Sequence, residues 1–235
     1  MDKRFNCCAV VVAAGNSERM ALGCSKQFIP LCGLPVIVHT LSAFEAANFI
    51  DSVVVVCRQD DFKELRRCIK ESNIKKVTGI VKGGATRQES VAAGVAAVPK
   101  DAAYLAIHDG ARALITPEEI NRVVQDCFYH KAASLAVPVK DTIKVADKDA
   151  FVLSTPNRSF LWAVQTPQVF ERVLYQSAIE QARNLGTSYT DDCQLIENLG
   201  IPVHLCRGEY TNIKITTKED IYIAEAIVKD REELK

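Results

Sequence analysis

The first loop of the chain combines small residues with two cations. Ala13, Ala14 and Gly15 end an apolar run, and Arg19 and Lys26 follow in the same short segment. Small residues let a ligand approach backbone N–H groups, and two long cations can close over a phosphate from one side. The spacing is neither a Walker A loop nor the G-x-G-x-x-G dinucleotide fingerprint. It favours a phosphate site of another type, and the alternative is an ordinary strand-to-helix turn with solvated charges.

A second loop places two glycines between a strand-like run and a helix. Gly83 and Gly84 permit a ligand to approach the backbone, and doubly wound sheets bind ligands at the carboxyl ends of their strands. Ser90, one turn into the helix, carries a hydroxyl that can both donate to and accept from a base edge. A plain capped turn would explain Thr86 and Glu89 as cap residues. It would leave the glycine pair and Ser90 without a role.

Two further segments contribute an acid and two more cations. Asp109 follows a buried run, where a carboxylate can bind a metal ion or a ribose hydroxyl near phosphates. Arg112 adds a planar guanidinium for phosphate, although the two residues could also form a salt bridge. Lys214 taken alone is better explained as a solvent-facing strand charge. With Arg19 and Lys26 it would be a third cation, as a nucleotidyl-transfer transition state requires.

Apolar strand-like runs alternate with helical patterns through most of the chain. This alternation predicts a single α/β domain over residues 1–235, with a doubly wound, mostly parallel nucleotide-binding sheet. Thr86 and Thr116 have the pattern of helix N-caps, and Asp60 and Thr217 are predicted as two more. The expected strands are 8–13, 52–57, 76–81, 104–108, 134–138, 161–165 and 203–206.

The segment at about 138–159 interrupts this alternation. Two short alternating runs flank the charged turn Asp147-Lys148-Asp149, which predicts a β-hairpin that projects as an arm. Strands of about four residues are marginal alone, so we expect the arm to pack on another surface. A second subunit is the simplest candidate, and a flap over its own subunit is the alternative.

Composition excludes several classes of protein. Lysines plus arginines number 29 and aspartates plus glutamates 29, so no basic surface for nucleic acid is expected. Apolar runs are strand-sized, well short of the roughly 20 residues that a membrane helix needs. The first five residues lead directly into a strand, so we expect no signal peptide and a cytoplasmic protein. The nine cysteines form no C-x-x-C pair and the four histidines show no ligand spacing, which indicates reduced structural thiols.

The ordered set of motifs, from about residue 8 to residue 228, resembles that of the 2-C-methyl-D-erythritol 4-phosphate cytidylyltransferase family. Each motif is weak alone, but the set is specific. The resemblance implies a nucleotide-diphospho-sugar transferase-like fold and a homodimer with a swapped β-arm. The matching segments are Ala13-Ala14-Gly15, Arg19-Met20, Lys26-Gln27, Gly83-Gly84, Arg87, Ser90-Val91, Gly94, Asp109-Gly110-Ala111-Arg112, Val139-Lys140-Asp141-Thr142-Ile143-Lys144, Gln165-Thr166-Pro167-Gln168, Thr190-Asp191 and Asn212-Ile213-Lys214.

The resemblance also implies a reaction and a role for each site residue. CTP and 2-C-methyl-D-erythritol 4-phosphate would give 4-diphosphocytidyl-2-C-methyl-D-erythritol and pyrophosphate, with Mg²⁺. Arg19, Lys26 and Lys214 would hold the triphosphate and the transition state. Asp109 would lie by the metal and the sugar. The CTP pocket would be lined by Ala13, Ala14, Gly15, Gly83, Ser90, Asp109 and Ala111, and the methylerythritol phosphate would be bound by Asp109, Arg112, Thr142, Arg158, Thr166 and Thr190, with Thr142 and Arg158 supplied by the partner subunit.

Gly110 and Ala113 depart from the usual family pattern of Ala-Ala-Arg-Pro after the aspartate. Gly110 is expected to loosen the loop that holds Asp109 and Arg112. Two alternatives to the reaction remain. One is a cytidylyltransferase for another polyol phosphate such as ribitol 5-phosphate, and the other is a non-catalytic, nucleotide-sensing dimer.

Overall fold

The computed structural model describes residues 5–15, 25–187, 189 and 191–233. Its strands are β1 (Cys7–Val12), β2 (Pro30–Leu31), β3 (Leu34–Pro35), β4 (Ser52–Cys57), β5 (Val77–Lys82), β6 (Tyr104–Asp109), β7 (Ala132–Pro138), β8 (Val145–Ala146), β9 (Val152–Ser154), β10 (Trp162–Glu171) and β11 (His204–Arg207). Its helices are α1 (Val36–Ala46), α2 (Phe62–Glu71), α3 (Arg87–Ala96), α4 (Pro117–His130), α5 (Arg172–Leu185), α6 (Cys193–Glu197) and α7 (Lys218–Glu233).

Seven strands form one sheet in the order β11-β7-β10-β6-β1-β4-β5. All neighbours pair in parallel except β10, which is antiparallel to both β6 and β7. The expected doubly wound, mostly parallel sheet is therefore confirmed. The residues of β4 are all buried, as expected for a strand that is covered on both faces.

Helices cover both faces of the sheet. Side chains alternate along a strand, so Cys7 packs with α1 and α4 on one face while Cys8 packs with α3 and α5 on the other. A third, smaller cluster joins α7 to Leu31, Leu114 and Ile215. The eight described cysteines are all free. No helix among the described residues is long and apolar enough to cross a membrane.

The helix starts agree with the sequence at three of the four predicted caps. Thr217 precedes α7, and its hydroxyl accepts from the Asp220 N–H at 3.4 Å. The Thr86 hydroxyl accepts from the Glu89 N–H, and Thr116 forms a full capping box with Glu119. The prediction for Asp60 is wrong. A short 3₁₀ turn, Gln59–Asp61, precedes α2 and makes Asp61 the residue before the helix. The Asp61 carboxylate is buried and binds side chains from other segments, which a local pattern cannot show.

The predicted hairpin is present at 138–159. Strands β8 and β9 pair antiparallel, and the Asp147 carboxylate closes the turn by accepting the N–H groups of Asp149 and Phe151. Residues 140–155 are exposed without exception. The arm therefore projects from the domain in the protomer described.

Candidate active site

A cavity of about 830 Å³ opens at the carboxyl ends of β1, β5 and β6. This is the edge at which open α/β sheets bind ligands. Its lining includes nine of the predicted site residues: Ala13, Ala14, Gly15, Lys26, Gly83, Ser90, Asp109, Ala111 and Lys214. Segments that are far apart in the sequence therefore converge on one volume, which is large enough for a nucleotide.

The described ends of the first loop are both anchored by hydrogen bonds. The Ala13 N–H donates to the Val56 carbonyl at 2.7 Å, which fixes the chain as it leaves β1. Lys26 begins a short 3₁₀ helix whose neighbours Ser25 and Gln27 donate to the buried Asp61 carboxylate, at 2.7 and 2.8 Å. Sequence reasoning missed this role of Asp61. Arg19 lies outside the described residues, so its role stays a prediction.

The second loop is packed tightly against the first. A Cβ atom on Gly83 would lie 2.4 Å from Ala14 Cβ and 2.8 Å from Ser90 Oγ, so only glycine fits here. The Ser90 hydroxyl donates to the Thr86 carbonyl at 2.9 Å and accepts from the Gly84 N–H at 3.1 Å. One lone pair of Oγ remains for a ligand. Ser90 therefore shapes the loop, and its predicted contact with the base stays a prediction.

The Asp109 carboxylate is paired with two cations in the cavity. The Lys214 ammonium lies 2.8 Å from Oδ2, and Arg87 Nε lies 3.5 Å from Oδ1. Burial acts to raise the pKa of Asp109, but Lys214 and then Arg87 outweigh it and lower the pKa to about 2. The carboxylate is therefore ionised at neutral pH and holds Lys214 at the cavity wall.

Arg87 joins Asp109 to a second buried acid. Its Nη2 lies 2.7 Å from Asp192 Oδ2, and the Tyr175 hydroxyl donates to the other Asp192 oxygen at 2.5 Å. The Gln168 side-chain oxygen accepts from the Asp192 N–H at 3.0 Å. The resemblance included Arg87 as a motif position but gave it no role. Asp192 had no signal in the sequence beyond its place after the Thr190-Asp191 motif.

A hydrogen-bonded layer lies behind Asp109. The Asp109 N–H donates to the Thr166 hydroxyl at 3.1 Å, and that hydroxyl lies 3.0 Å from His108 Nδ1. Burial lowers the pKa of His108 to about 3, so the ring is neutral. With the proton on Nε2, the ring accepts from Thr166 and donates to the Arg112 carbonyl at 3.3 Å. The layer thus positions Asp109 from the protein side.

Several predicted substrate residues are absent from the lining of this cavity. Thr166 is buried in the layer just described, and Arg112 donates to the Asn212 carbonyl at 2.8 Å, close along the chain to Lys214. Thr142 and Arg158 are exposed on the arm, where Arg158 donates to the Lys140 carbonyl. Thr190 lies outside the described residues. The described residues of this set therefore do not line the cavity of one protomer, and the contacts of the whole set with the substrate stay predictions.

Gly110 is held more firmly than the sequence suggested. Its N–H donates to the Val12 carbonyl at 2.9 Å, and its carbonyl accepts from the Thr40 hydroxyl at 3.0 Å. A Cβ atom here would lie 3.1 Å from Ala13 Cβ. The loop that carries Asp109 is therefore fixed on both sides and is not loosened by the glycine.

The donor set fits a magnesium ion bound mainly through a nucleotide. Mg²⁺ usually takes one or two carboxylates and completes its octahedron with water and substrate phosphates. The described cavity offers the ionised Asp109 carboxylate beside the cations that would face the phosphates. Asp109 is the residue that would hold the ion.

Comparisons with known proteins agree over nearly the whole chain. The sequence pattern of the 2-C-methyl-D-erythritol 4-phosphate cytidylyltransferase family matches residues 7–230. A protein of that name from Pelotomaculum thermopropionicum is 47% identical over 225 residues, which cover 95% of this chain and 94% of the relative. One from Caldanaerobacter subterraneus subsp. tengcongensis is 44% identical over 226 residues and covers 96% and 100%.

Solved structures agree in fold. The crystal structure of 4-diphosphocytidyl-2C-methyl-D-erythritol synthase from Anaerococcus prevotii superposes with a TM-score of 0.87 at 30% identity, covering 96% of this chain and 97% of that one. The 2-C-methyl-D-erythritol 4-phosphate cytidylyltransferase from Thermus thermophilus has a TM-score of 0.76 at 31% identity, covering 94% and 98%. With this coverage and the nucleotide-sized cavity at the strand ends, the chain belongs to the 2-C-methyl-D-erythritol 4-phosphate cytidylyltransferase family.

Proposed function

We propose that this chain transfers the cytidylyl group of CTP to 2-C-methyl-D-erythritol 4-phosphate. The products are 4-diphosphocytidyl-2-C-methyl-D-erythritol and pyrophosphate, and the reaction serves isoprenoid precursor biosynthesis. The observation that carries the proposal is the convergence of Lys26, Lys214 and Asp109 on one cavity in a chain that matches the family from residue 7 to residue 230. Lys214 is thereby a cavity residue, and the solvent-facing strand charge is the weaker explanation.

The proposed chemistry is an in-line displacement at the α-phosphorus. A phosphate oxygen of the substrate forms the new P–O bond, and the bond to the bridging oxygen of the pyrophosphate breaks. A phosphate monoester is already a nucleophile at neutral pH, so no general base is needed. Positioning and charge neutralisation then lower the barrier. Mg²⁺ bound with CTP would add positive charge beside the phosphates.

Each cation has a stated task in this proposal. Lys214 is fixed by Asp109 at 2.8 Å, so it needs little reorganisation to meet the charge that develops on the phosphates. Lys26 lines the same cavity on a segment anchored through Asp61. Arg19 completes the set in the proposal. Ala13, Ala14, Gly15 and Ala111 would present backbone to the nucleotide, and Gly83 and Ser90 would face the cytosine.

We further propose that the protein is a homodimer in which the arms are exchanged. The arm exposes several large apolar side chains: Ile143 at 39%, Val145 at 44%, Phe151 at 72%, Val152 at 59% and Leu153 at 65%. Such a patch on a short hairpin is unfavourable in water unless another surface covers it. A second copy would cover the patch and would also bring Thr142 and Arg158 to the cavity that they do not line in one protomer.

Complementation tests the exchanged arm. Homodimers of Lys26→Ala and of Arg158→Ala are each expected to be nearly inactive. After subunit exchange about half of the dimers are mixed, and one of the two sites in each mixed dimer carries neither lesion. Activity should then recover to about a quarter of wild type by this counting from two-fold symmetry. Lys148→Ala, an exposed charge at the arm tip, is the matched control and should keep full activity. No recovery in confirmed heterodimers would contradict the exchanged arm.

Pyrophosphate release tests the reaction itself. The assay compares 2-C-methyl-D-erythritol 4-phosphate, ribitol 5-phosphate and no acceptor, each with CTP and Mg²⁺. We expect release only with the first acceptor. Faster release with ribitol 5-phosphate would favour the other polyol phosphate, and CTP binding without release would favour a nucleotide sensor. A cytoplasmic location also belongs to the proposal, and fractionation of the source cells would test it.

A further inference from the structure

A second cluster of ligand-type side chains lies outside the nucleotide cavity. Asp126 and His130 are four residues apart in the last turns of α4, so they lie on the same helix face. His204 begins the edge strand β11. One ligand atom from each of these three residues lies within 4.8 Å of the other two. The sequence spacing of the histidines did not suggest this cluster, because it forms only when β11 joins the sheet.

The cluster and the nucleotide cavity lie at opposite ends of the parallel strands. The cavity lies at the carboxyl ends of the parallel strands, where β6 ends in Asp109. The cluster lies at the amino ends of β7 and β11, where His204 is in register with Ala133. Lys131 alone separates α4 from β7, so the last turn of the helix is held at this end. The site is therefore separate from the one proposed for catalysis.

The three side chains are close and open to solvent. His204 Nδ1 lies 2.5 Å from Asp126 Oδ2, and His130 Nε2 lies 3.7 Å from Oδ1. The two imidazoles are stacked with their centroids 4.1 Å apart and their planes at 20°. The histidine side chains are 46% and 48% exposed, so an ion can reach them and water can complete its coordination.

We propose that Asp126, His130 and His204 form a binding site for a divalent transition-metal cation of the Zn²⁺ type. Two imidazole nitrogens with one carboxylate oxygen are a donor set that suits Zn²⁺, Co²⁺ or Ni²⁺, whereas Mg²⁺ and Ca²⁺ prefer oxygen ligands throughout. Three protein ligands on an exposed face leave the remaining positions to water. The site is thus distinct in chemistry, as well as in place, from the Asp109 site.

The ion would join the end of α4 to the edge strand. Arg122 of α4 already donates to the Arg207 carbonyl at 2.7 Å, and the Glu209 N–H donates to Glu119 at 2.9 Å. A bound metal would add a third connection between α4 and the β11 segment. Because the ion binds the assembled cluster and not the separated segments, it stabilises the folded protein by an amount that grows with the logarithm of the ion concentration above Kd.

Zinc binding measured by calorimetry on metal-stripped full-length protein tests the site. We expect one equivalent of Zn²⁺ to bind, with affinity lowered about tenfold or more in His204→Ala, His130→Ala and Asp126→Asn. His39→Gln is the matched control, because His39 lies elsewhere and contacts the Leu31 carbonyl; it should bind as wild type does.

Thermal melting and Co²⁺ absorption give two further readouts. Zn²⁺ should raise the melting temperature of the wild type and of His39→Gln but not of His204→Ala. Co²⁺ should give d–d bands without thiolate charge-transfer absorption, since the donor set has no sulfur. Equal zinc affinity in wild type and all three cluster variants would overturn the proposal. So would a thiolate band, since it would place the ion at a cysteine. A wild-type protein that binds no zinc would also overturn the proposal, because the cluster would then serve only to hydrogen-bond α4 to β11.

Discussion

Replacing Lys214 by alanine separates its proposed catalytic role from its structural one. The ammonium lies 2.8 Å from Asp109 Oδ2, and the two side chains are 41% and 12% exposed. An ion pair with one partner this exposed contributes at most about 1 kcal/mol to the free energy of unfolding. In a chain of this length, that corresponds to a fall in melting temperature of about 2–4 °C. Loss of a fixed charge from the transition state costs far more, about 10²–10³ in kcat.

The assay is steady-state pyrophosphate release at saturating CTP and acceptor, with melting temperatures measured on the same samples. Lys214→Ala is expected to lose about 10²–10³ in kcat while it remains folded at the assay temperature. Lys214→Arg keeps the charge but changes its reach, so recovery should be partial. Lys63→Ala removes an exposed lysine from α2 and is the control. A kcat for Lys214→Ala within about threefold of wild type would refute the proposed role. Lys214 would then not stabilise the negative charge that develops on the phosphates in the transition state.

Three further outcomes are expected. Ser90→Ala should raise the KM for CTP and relax discrimination against UTP by roughly 1 kcal/mol, about fivefold. An unchanged preference for CTP over UTP would show that backbone groups alone recognise the base. Gly83→Ala should lower the free energy of unfolding by about 1–3 kcal/mol in urea melts, because its Cβ would lie 2.4 Å from Ala14 Cβ. Gly15→Ala, whose Cβ meets nothing within 4 Å, should change it by less than about 1 kcal/mol, and equal losses would contradict the packing argument. Burial lowers the pKa of His108 to about 3, so below about pH 6.5 the unfolded state binds the extra proton. Stability should therefore fall from about pH 6.5 towards pH 3 by up to about 1.4 kcal/mol per pH unit, and a His108→Asn variant with the same slope would exclude this residue as the cause.

Sequence patterns predicted the sheet because its strands are locally distinct. Runs such as 52–57 are continuous and apolar, and they match β4 residue for residue. The strand expected at 161–165 is instead Trp162–Glu171. Pro167 normally ends or interrupts a strand, and here the register shifts between Val164 and Gln168 so that pairing continues beyond it. The predicted strand therefore ends before Pro167, whereas the observed strand accommodates an irregularity there and continues to Glu171.

Sequence patterns predicted only those residues of the candidate site that lie within short local motifs. The glycine loops and Asp109 are visible locally, and the structure brings them together at one edge of the sheet. The partners that position them are distant in sequence: Asp61 for the Lys26 segment, Asp192 for Arg87, and His108 with Thr166 for the Asp109 backbone. Such contacts depend on which strands are neighbours. The order of the strands along the sequence does not by itself indicate which strands are neighbours in the sheet.

The free cysteines are distributed over the secondary structure in a way that has an experimental consequence. Buried thiols lie in β1, β4, α2, α4, α6 and β11, and burial raises the pKa of each of them, for Cys8 to about 11 and for Cys57 to about 12. A thiol reacts as the thiolate, so each should be inert to alkylating reagents until its own element opens. Peptide-resolved alkylation kinetics would then report local opening free energies at six elements, without any inserted probe. The native chain thus carries its own set of reporters for the order in which the sheet comes apart.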